Sequence, residues 1–410
     1  MSPGTPAHAT LEGRCDERFA EVGREFERNF AERGEVGASL CVISRGETVV
    51  DLFGGVADPA RGTPWQRDTL SIVFSCTKGA VALCAHVLAS RGKLDLDAPI
   101  RELWPELAHG DKRDASVRMA LDHTLGLPAF KTPIESGGCT RWDYMVEKLE
   151  AEPPFWKPGT RHGYHMLNFG WTVGELVRRA SGASLGEFFR ETIAQPLGLD
   201  FWIGLPEALE PRVAPIAFQA PAAGADLGEF TRTLLTQPQS LQALALLNTG
   251  GFDPNSRACH AAEIGGAGGI TNARGLAGMY APLANDGEWR GVRLVDRDTL
   301  ARMAQVSAAT HEDATLLVPT RFALGFMKSM DNRRRARGDR DSAILGAAAF
   351  GHCGLGGSLG FADPEAGLAF GYTMNSAGLG VLLNARGQSL VDAAYRCLGY
   401  RSNASGCWTR

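Results

Sequence analysis

The chain has 410 residues, of which 44% are hydrophobic, and this is enough to bury a large core. Its formal charge of -4 and its single short run of arginines give no basis for binding nucleic acid. No stretch of about 18 apolar residues suggests a membrane span, and no apolar leader follows Met1, so we expect a soluble, cytoplasmic protein. Nine cysteines without paired spacing predict free thiols, and we expect no metal and no cofactor.

Both ends of the chain carry patterns of helices and strands. Residues 16–33 repeat charged and aliphatic side chains with a helical period, and two strand-like runs follow between residues 37 and 53. Two further strand-like runs between 357 and 374 precede a helix near 387–398. These pieces predict one antiparallel sheet that is built from both chain ends.

The middle of the chain is mostly helical in pattern, with Pro- and Gly-rich connections. We therefore expect an α+β fold, in which residues 1–94 and 281–410 form an α/β domain. Residues 95–280 would form an inserted helical domain, with the active site in the cleft between the two. The segment 219–260 has little pattern and is a candidate cover for that cleft.

Residues 75–78, Ser-Cys-Thr-Lys, place a hydroxyl and an amine one helical turn apart. Residues three apart share one face of a helix, so Lys78 can reach Ser75 only if this stretch is helical. The small and apolar residues 80–88 predict that helix, whose unpaired N–H groups would favour developing negative charge at its start. Ser75 is therefore a candidate nucleophile; in the alternative, Ser75 only caps the helix and Lys78 is solvated.

Two further motifs follow in the chain. Residues 158–170 place Tyr164 in a Gly-rich loop before a helical pattern, and residues 350–358 place His352 in a His-x-Gly sequence ahead of a strand. A cationic lysine lowers the pKa of a neighbouring phenol, so a phenolate could act as a base, and a neutral lysine could serve directly. The sequence leaves the choice of base open between Lys78 and Tyr164.

Weaker landmarks lie at residues 121–128, Leu-Asp-His-Thr-Leu-Gly-Leu-Pro, and at residues 268–276, Gly-Gly-Ile-Thr-Asn-Ala-Arg-Gly-Leu. The order of all five motifs resembles the serine β-lactamase and penicillin-binding-protein fold, most closely the family VIII carboxylesterases related to class C β-lactamases. The resemblance runs from about residue 35 to 400 and implies a β-lactamase-like antiparallel sheet flanked by helices. It also implies an acyl-enzyme on Ser75 and a short-chain acyl ester as the small-molecule partner, with possible weak hydrolysis of β-lactams.

The resemblance also implies roles for individual residues. Tyr164 would act as base for Ser75, protonate the leaving alcohol and then activate the water that cleaves the acyl-enzyme. The backbone N–H groups of Ser75 and of Leu355, on the strand after the His-x-Gly that ends at Gly354, would form the oxyanion hole. His352 and the backbone of Gly354 and Leu355 would contact the substrate.

Two positions depart from the β-lactamase pattern. His352 stands where β-lactamases usually carry a lysine, and a histidine there is largely neutral near pH 7. Met166 stands where they carry an asparagine that binds the acylamino side chain. Both departures weaken the case for penicillins and favour uncharged esters.

Several other residues compete for catalytic roles. Gly-x-Ser-x-Gly, typical of the α/β-hydrolase nucleophile, occurs around Ser184 and Ser358. Ser358 precedes a strand and a turn, and Ser184 begins a capping box with Glu187, so we expect both to be structural. His123 beside Asp122 could supply a Ser-His-Asp triad, although a structural role is the better reading.

Other functions on the same fold remain open. A β-lactamase, a D-aminopeptidase and an acyltransferase would share the acyl-enzyme, and a non-catalytic binding protein is the alternative of another class. Phe130, Trp156 and Phe361 are candidates for an acyl pocket, although core or rim packing explains them equally well. The natural substrate, the acyl acceptor and the oligomeric state are left open.

Overall fold

The computed structural model describes the chain as residues 10–220, 224, 226–378 and 380–410. The N-terminal residues 1–9, for which we expected no apolar leader, lie outside the described part. The same holds for residues 221–223 and 225 of the segment that was a candidate cover for the cleft. The strands are β1 (Leu11–Cys15), β2 (Gly37–Ser44), β3 (Glu47–Asp58), β4 (Thr63–Pro64), β5 (Ser71–Ile72), β6 (Phe201–Trp202), β7 (Ala217–Phe218), β8 (Ile270–Thr271), β9 (Glu288–Trp289), β10 (Val292–Arg293), β11 (Ala308–Thr310), β12 (Thr320–Phe322), β13 (Phe350–Cys353), β14 (Leu359–Asp363), β15 (Leu368–Met374) and β16 (Ser376–Ala377). The α-helices are α1 (Ala20–Glu32), α2 (Cys76–Ser90), α3 (Val117–Leu121), α4 (Trp142–Ala151), α5 (Asn168–Ser181), α6 (Leu185–Phe189), α7 (Gln195–Leu197), α8 (Glu229–Thr236), α9 (Leu241–Leu247), α10 (Arg257–Ala261), α11 (Ala273–Tyr280), α12 (Arg297–Ala304) and α13 (Ala385–Cys397).

The main sheet joins the two ends of the chain. Its strand order is β1-β3-β2-β15-β14-β13, and neighbouring strands along it are antiparallel. β2 and β15 pair along their length, with Ser44 opposite Leu368 and Ala38 opposite Met374. The predicted antiparallel sheet from both chain ends is therefore confirmed.

Helices cover both faces of this sheet. Successive side chains of a strand point to opposite faces, and β2 follows this rule. Leu40 and Val42 belong to the apolar cluster that contains α1 and α13, whereas Cys41 and Ile43 belong to the cluster that contains α2 and α11. The central strands are consequently buried on both sides, which explains their almost continuous apolar sequence.

The helix that begins after Ser75 lies at the centre of the molecule. In α2, every side chain from Cys76 to Leu88 is buried. The helix packs against β13 at the edge of the main sheet and against α5 from the middle of the chain. The start of α2 is thereby held between the sheet and the helical segment.

Between residues 95 and 280 the chain forms the helices α3–α11 and the two-residue strands β6, β7 and β8. α5 begins at Asn168, inside the stretch 158–170 that was expected to precede a helix. The domain boundaries stay predictions. In the described part of the chain, no helix is both long enough and apolar enough to span a bilayer.

The backbone of α5 at Gly170 approaches the backbone of Gly266 closely, and a substitution can test this packing. A Cβ at Gly170 in α5 would lie 2.1 Å from the backbone N of Gly266, whereas one at Gly23 in α1 would make an ordinary contact, 3.4 Å from Cys15 Sγ. We expect Gly170→Ala to lower the free energy of unfolding by about 1–3 kcal/mol, because backbone cannot move aside. Gly23→Ala should raise it by up to about 1 kcal/mol, as usual for a helical glycine. Urea denaturation of both variants measures the difference, and equal midpoints would contradict the described packing.

Candidate active site

Ser75 and Lys78 meet at the start of α2. Ser75 occupies the N-cap position, and Lys78 lies one turn further along, with its Nζ 3.0 Å from Ser75 Oγ. Phe74 has a φ of 44°, a left-handed conformation that bulky residues rarely adopt, so the chain turns sharply just before Ser75. The Ser75 side chain makes no capping hydrogen bond, which rejects the alternative that it only caps the helix.

Burial determines the electrostatics of Lys78. Its side chain is fully buried, and Nζ also donates a hydrogen bond to the backbone oxygen of Gly266, at 2.7 Å. Burial lowers the pKa of Lys78 well below its usual value, opposed only weakly by Cys76 and Cys353. Because burial raises the pKa of both thiols, neither supplies a counter-charge at neutral pH. The environment therefore favours the neutral amine.

Tyr164 lies beside Ser75 and Lys78 and is the third residue of the candidate site. Lys78 Nζ lies 4.8 Å from the centroid of the Tyr164 ring, and the tyrosine is 6% exposed. Burial raises the pKa of Tyr164 well above its usual value, and the neighbouring Ser75 hydroxyl lowers it to a smaller extent. The phenol is therefore neutral over the ordinary pH range, beside a nucleophile candidate and an amine whose neutral form is favoured by burial.

His352 lies at the end of β13, with its ring centroid 5.8 Å from that of Tyr164. Its Nδ1 donates to the backbone oxygen of Cys353 at 2.7 Å, since a carbonyl can only accept. Burial lowers the pKa of His352 to about 3, so the ring is neutral, as predicted from its sequence. Its Nε2 is a buried acceptor without a partner among the described residues.

The backbone after His352 differs from the prediction. Leu355 was expected on a strand, but β13 ends at Cys353 and Leu355 lies in the turn before β14. The Gly354 N–H donates to the oxygen of Ser358 at 2.8 Å, which closes this turn and leaves Gly354 no free N–H for a substrate. Gly354 matters through its missing side chain, because a Cβ there would lie 2.2 Å from the oxygen of Val73.

A cavity of about 330 Å³ opens beside these groups. Among the described residues, no lining side chain carries a formal charge at neutral pH. The lining residues are Phe74, Ser75, Tyr164, Met166, Leu167, Phe218, Phe230, Leu246, Phe252, Pro254, Ala267, Leu316, Met327, His352, Cys353, Leu355 and Val381. The cavity is thus an apolar space with Ser75, Tyr164 and His352 as its polar groups.

Three phenylalanines of the cavity come from, or lie beside, the segment 219–260 that the sequence left uncertain. Phe218, Phe230 and Phe252 line it, so described residues of the 219–260 segment and its flank contribute to the cavity. Phe130 and Phe361, which were candidates for this role, are instead buried in the core. Trp156, the third candidate, donates its indole N–H to the oxygen of Thr124 at 3.2 Å and lies outside the lining.

The two competing serines are structural. Ser358 is fully buried, and its hydroxyl donates to the backbone oxygen of Val73 at 3.1 Å just before β14. Ser184 is the N-cap of α6 and forms the predicted capping box with Glu187. Neither serine lines the cavity.

The arrangement also rejects a triad from Asp122 and His123. The Nδ1 of His123 accepts a hydrogen bond from the backbone N–H of His165 at 3.2 Å. The Asp122 carboxylate instead accepts from the hydroxyls of Thr124 and Ser307, each at 2.7 Å. His123 is a buried residue at the start of a loop, as predicted, and burial lowers its pKa well below the usual value.

Two contacts of the site had no signal in the sequence. The oxygen of Gly266 binds Lys78, and a backbone oxygen leaves no mark on residue identity. The buried carboxylate of Asp313 accepts a hydrogen bond from the Tyr164 N–H at 2.9 Å, across 149 residues of chain. An isolated aspartate in a turn-like stretch gives no hint of such a long-range contact.

The chain is similar in sequence and in fold to known esterases and to a penicillin-binding protein homologue. The esterase/beta-lactamase LipL of Mycobacterium tuberculosis is 35% identical to this chain over 390 residues, which cover 91% of this chain and 84% of that protein. The crystal structure of a family VIII carboxylesterase matches with a TM-score of 0.83 at 36% identity, over 95% of this chain and 100% of that one. A penicillin-binding protein homologue from Caulobacter crescentus matches with a TM-score of 0.84 at 34% identity, over the same shares.

The family match spans most of the sequence. The family described as Beta-lactamase matches residues 24–394. The three proteins named above are matched over 84% to 100% of their own length, and the two solved structures among them superpose on this fold. The chain therefore belongs to the beta-lactamase family of serine hydrolases, in agreement with the resemblance to family VIII carboxylesterases that its motifs predicted.

Proposed function

We propose that this protein is a carboxylesterase that hydrolyses short-chain, uncharged acyl esters through an acyl-enzyme on Ser75. One observation carries the proposal: Ser75 Oγ lies 3.0 Å from a buried amine and borders an apolar cavity. A serine hydroxyl becomes a nucleophile when a neighbouring base accepts its proton. Lys78 and Tyr164 are the groups in reach.

In acylation, the neutral Lys78 amine accepts the Ser75 proton as the serine oxygen attacks the ester carbonyl. Lys78 is suited to this step because burial lowers its pKa and one of its N–H groups is already directed to Gly266. The neutral Tyr164 phenol then protonates the departing alkoxide and regains a proton from the Lys78 ammonium. The step ends with an acyl-enzyme, a free alcohol and both bases restored.

The negative charge of the tetrahedral intermediate requires N–H donors near the start of α2. Ser75 and Leu355 both border the cavity, and neither N–H has a hydrogen-bond partner among the described residues. We assign these two N–H groups to the oxyanion hole, where the start of α2 adds a favourable dipole. Deacylation reverses the same proton transfers, with water in place of the alcohol.

The cavity favours uncharged substrates. β-Lactam antibiotics carry a carboxylate, and an unpaired carboxylate in an apolar cavity costs several kcal/mol. His352 cannot offset this cost, because burial lowers its pKa to about 3 and leaves it neutral. We therefore assign β-lactams to weak side activity at most.

The first prediction concerns the nucleophile. A fluorophosphonate should label the peptide that carries Ser75, and Ser75→Ala should abolish both this label and hydrolysis of a short-chain nitrophenyl ester. Ser184→Ala is the matched control, because it removes a helix cap, at a cost of about 1 kcal/mol of stability, without touching the cavity. Label on Ser358 or Ser184 would show a different nucleophile. A protein that is neither labelled nor active would instead be a binding protein.

The second prediction concerns pH and Lys78. The amine can accept a proton only above its own pKa, which burial lowers. We expect kcat/KM to rise with pH in a limb that lies well below the usual lysine range. Lys78→Arg keeps a cation that cannot lose its proton, so it should lose this limb and reduce kcat/KM by about 10²–10⁴-fold. An unchanged acid limb in Lys78→Arg would assign the base to another group.

The third prediction concerns selection against charge. His352→Arg places a guanidinium that keeps its proton beside the cavity, so kcat/KM for a carboxylate-bearing β-lactam should rise relative to a neutral ester by about tenfold or more. His352→Gln is the matched control, since it supplies a polar side chain without charge. Both ratios are measured with nitrocefin and a nitrophenyl ester. Equal ratios in the two variants would show that charge at this position does not select the substrate.

A further inference from the structure

Asp313 is a buried carboxylate that borders the catalytic group without belonging to it. It has no exposed surface, and in the described part of the chain neither a lysine nor an arginine pairs with it. The titratable side chain within 4 Å of it is His162, whose Nε2 lies 3.8 Å away and whose pKa burial lowers, which favours the neutral imidazole. The carboxylate is therefore stabilised by neutral hydrogen-bond donors.

These donors come from two separate pieces of chain. Asp313 Oδ1 accepts from the N–H groups of Thr315 at 2.8 Å and Leu316 at 2.9 Å, and Oδ2 accepts from the Thr320 hydroxyl at 3.1 Å. The fourth donor is the N–H of Tyr164, which lies 2.9 Å from Oδ1 and 3.1 Å from Oδ2. One carboxylate thus closes its own turn and binds the backbone of the tyrosine loop.

A second buried aspartate in the chain forms the same turn without the catalytic contact. Asp363 Oδ1 accepts from the N–H groups of Glu365 and Ala366, both at 3.1 Å, and Oδ2 accepts from the Tyr395 hydroxyl at 2.7 Å. Its residue is 1% exposed. The two aspartates therefore share burial and local bonding, and they differ in the donor from Tyr164.

Further contacts pack the loop that carries Tyr164 (residues 162–164) against the turn that begins at Asp313 (residues 313–316). The N–H of Ala314 donates to the oxygen of His162 at 3.1 Å, and a Cβ at Gly163 would lie 2.9 Å from that of Ala314. The Gln242 side chain donates to the oxygens of Ala314 and Thr315, which keeps the turn in place from its other side. The position of Tyr164 along the cavity is thus fixed through its backbone.

We propose that Asp313 is a positioning residue that places the Tyr164 phenol against Ser75 by binding the Tyr164 backbone N–H. The inference rests on the proposed role of Tyr164 in proton transfer. Charge-assisted hydrogen bonds are about twice as strong as neutral ones, so the carboxylate fixes this loop better than an amide would. Its charge also adds to burial in raising the pKa of Tyr164, which keeps the phenol protonated for the leaving group.

The test compares Asp313→Asn with Asp363→Asn. Both replace a buried carboxylate in the same kind of turn, so both should lose stability to a similar extent. Asp313→Asn alone should lower kcat, by about 10–100-fold, because a displacement of about 1 Å at a reacting group has effects of this size. KM should change less than kcat, since the cavity that binds the ester is left intact.

A double-mutant cycle separates positioning from a general structural effect. In a Tyr164→Phe background, Asp313→Asn should cause no further loss of kcat, because the group that it positions is already gone. Equal kcat in Asp313→Asn and Asp363→Asn, or a full additional loss in the Tyr164→Phe background, would overturn the proposal. Full activity of Tyr164→Phe alone would instead reject the proposed function of the tyrosine.

Should Asp313→Asn fail to fold, Thr320→Val provides a milder variant. It removes the hydroxyl donated to Oδ2 and leaves the carboxylate in place. A smaller loss of kcat that also disappears in the Tyr164→Phe background supports positioning. Unchanged kcat in Thr320→Val, measured with wild-type stability, counts against it.

Discussion

The site depends on the burial of the Lys78 amine, which has no carboxylate partner among the residues that the structure describes. The buried start of α2 removes water from the amine, and the Gly266 oxygen and Ser75 hydroxyl replace that water with directed hydrogen bonds. A carboxylate at this position would hold a proton on the lysine and disable it as a base. The packing of α2 between β13 and α5 thus also determines the environment of the proposed nucleophile, Ser75.

The same principle extends to the other titratable groups around the tyrosine. Burial lowers the pKa of His123 well below its usual value and lowers the pKa of His165 to about 3. Neither imidazole near Tyr164 is therefore charged. The Nδ1 of His165 donates to Gly163 while its Nε2 accepts from the N–H of Leu127, so each ring nitrogen has a fixed role. The imidazoles around Tyr164 are therefore neutral, and the buried Asp313 carboxylate acts on the tyrosine with little screening by other charges.

The sequence predicted contacts between residues that are close along the chain, and it did not predict contacts between distant residues. Ser75 and Lys78 were predictable because a helix places them together from local spacing alone, and strand patterns at both chain ends predicted the sheet. The Gly266 oxygen and the Asp313 carboxylate were not, since their roles arise where distant backbones approach each other. Phe361 illustrates the same limit, because the choice between core and cavity depends on how helices pack and not on residue type.

The pairing of β2 with β15 has a consequence for how the enzyme comes into being. Residues 37–44 pair on one side with the neighbouring strand β3, but on the other side with residues 368–374, so most of the chain must leave the ribosome before the central ladder can close. Contacts of such long range slow folding, because the intervening loop must be closed before the contacts stabilise it. Ser75 would remain an ordinary hydroxyl throughout synthesis. A nascent or truncated chain would therefore be catalytically silent, with reactivity acquired only at the last stage of assembly.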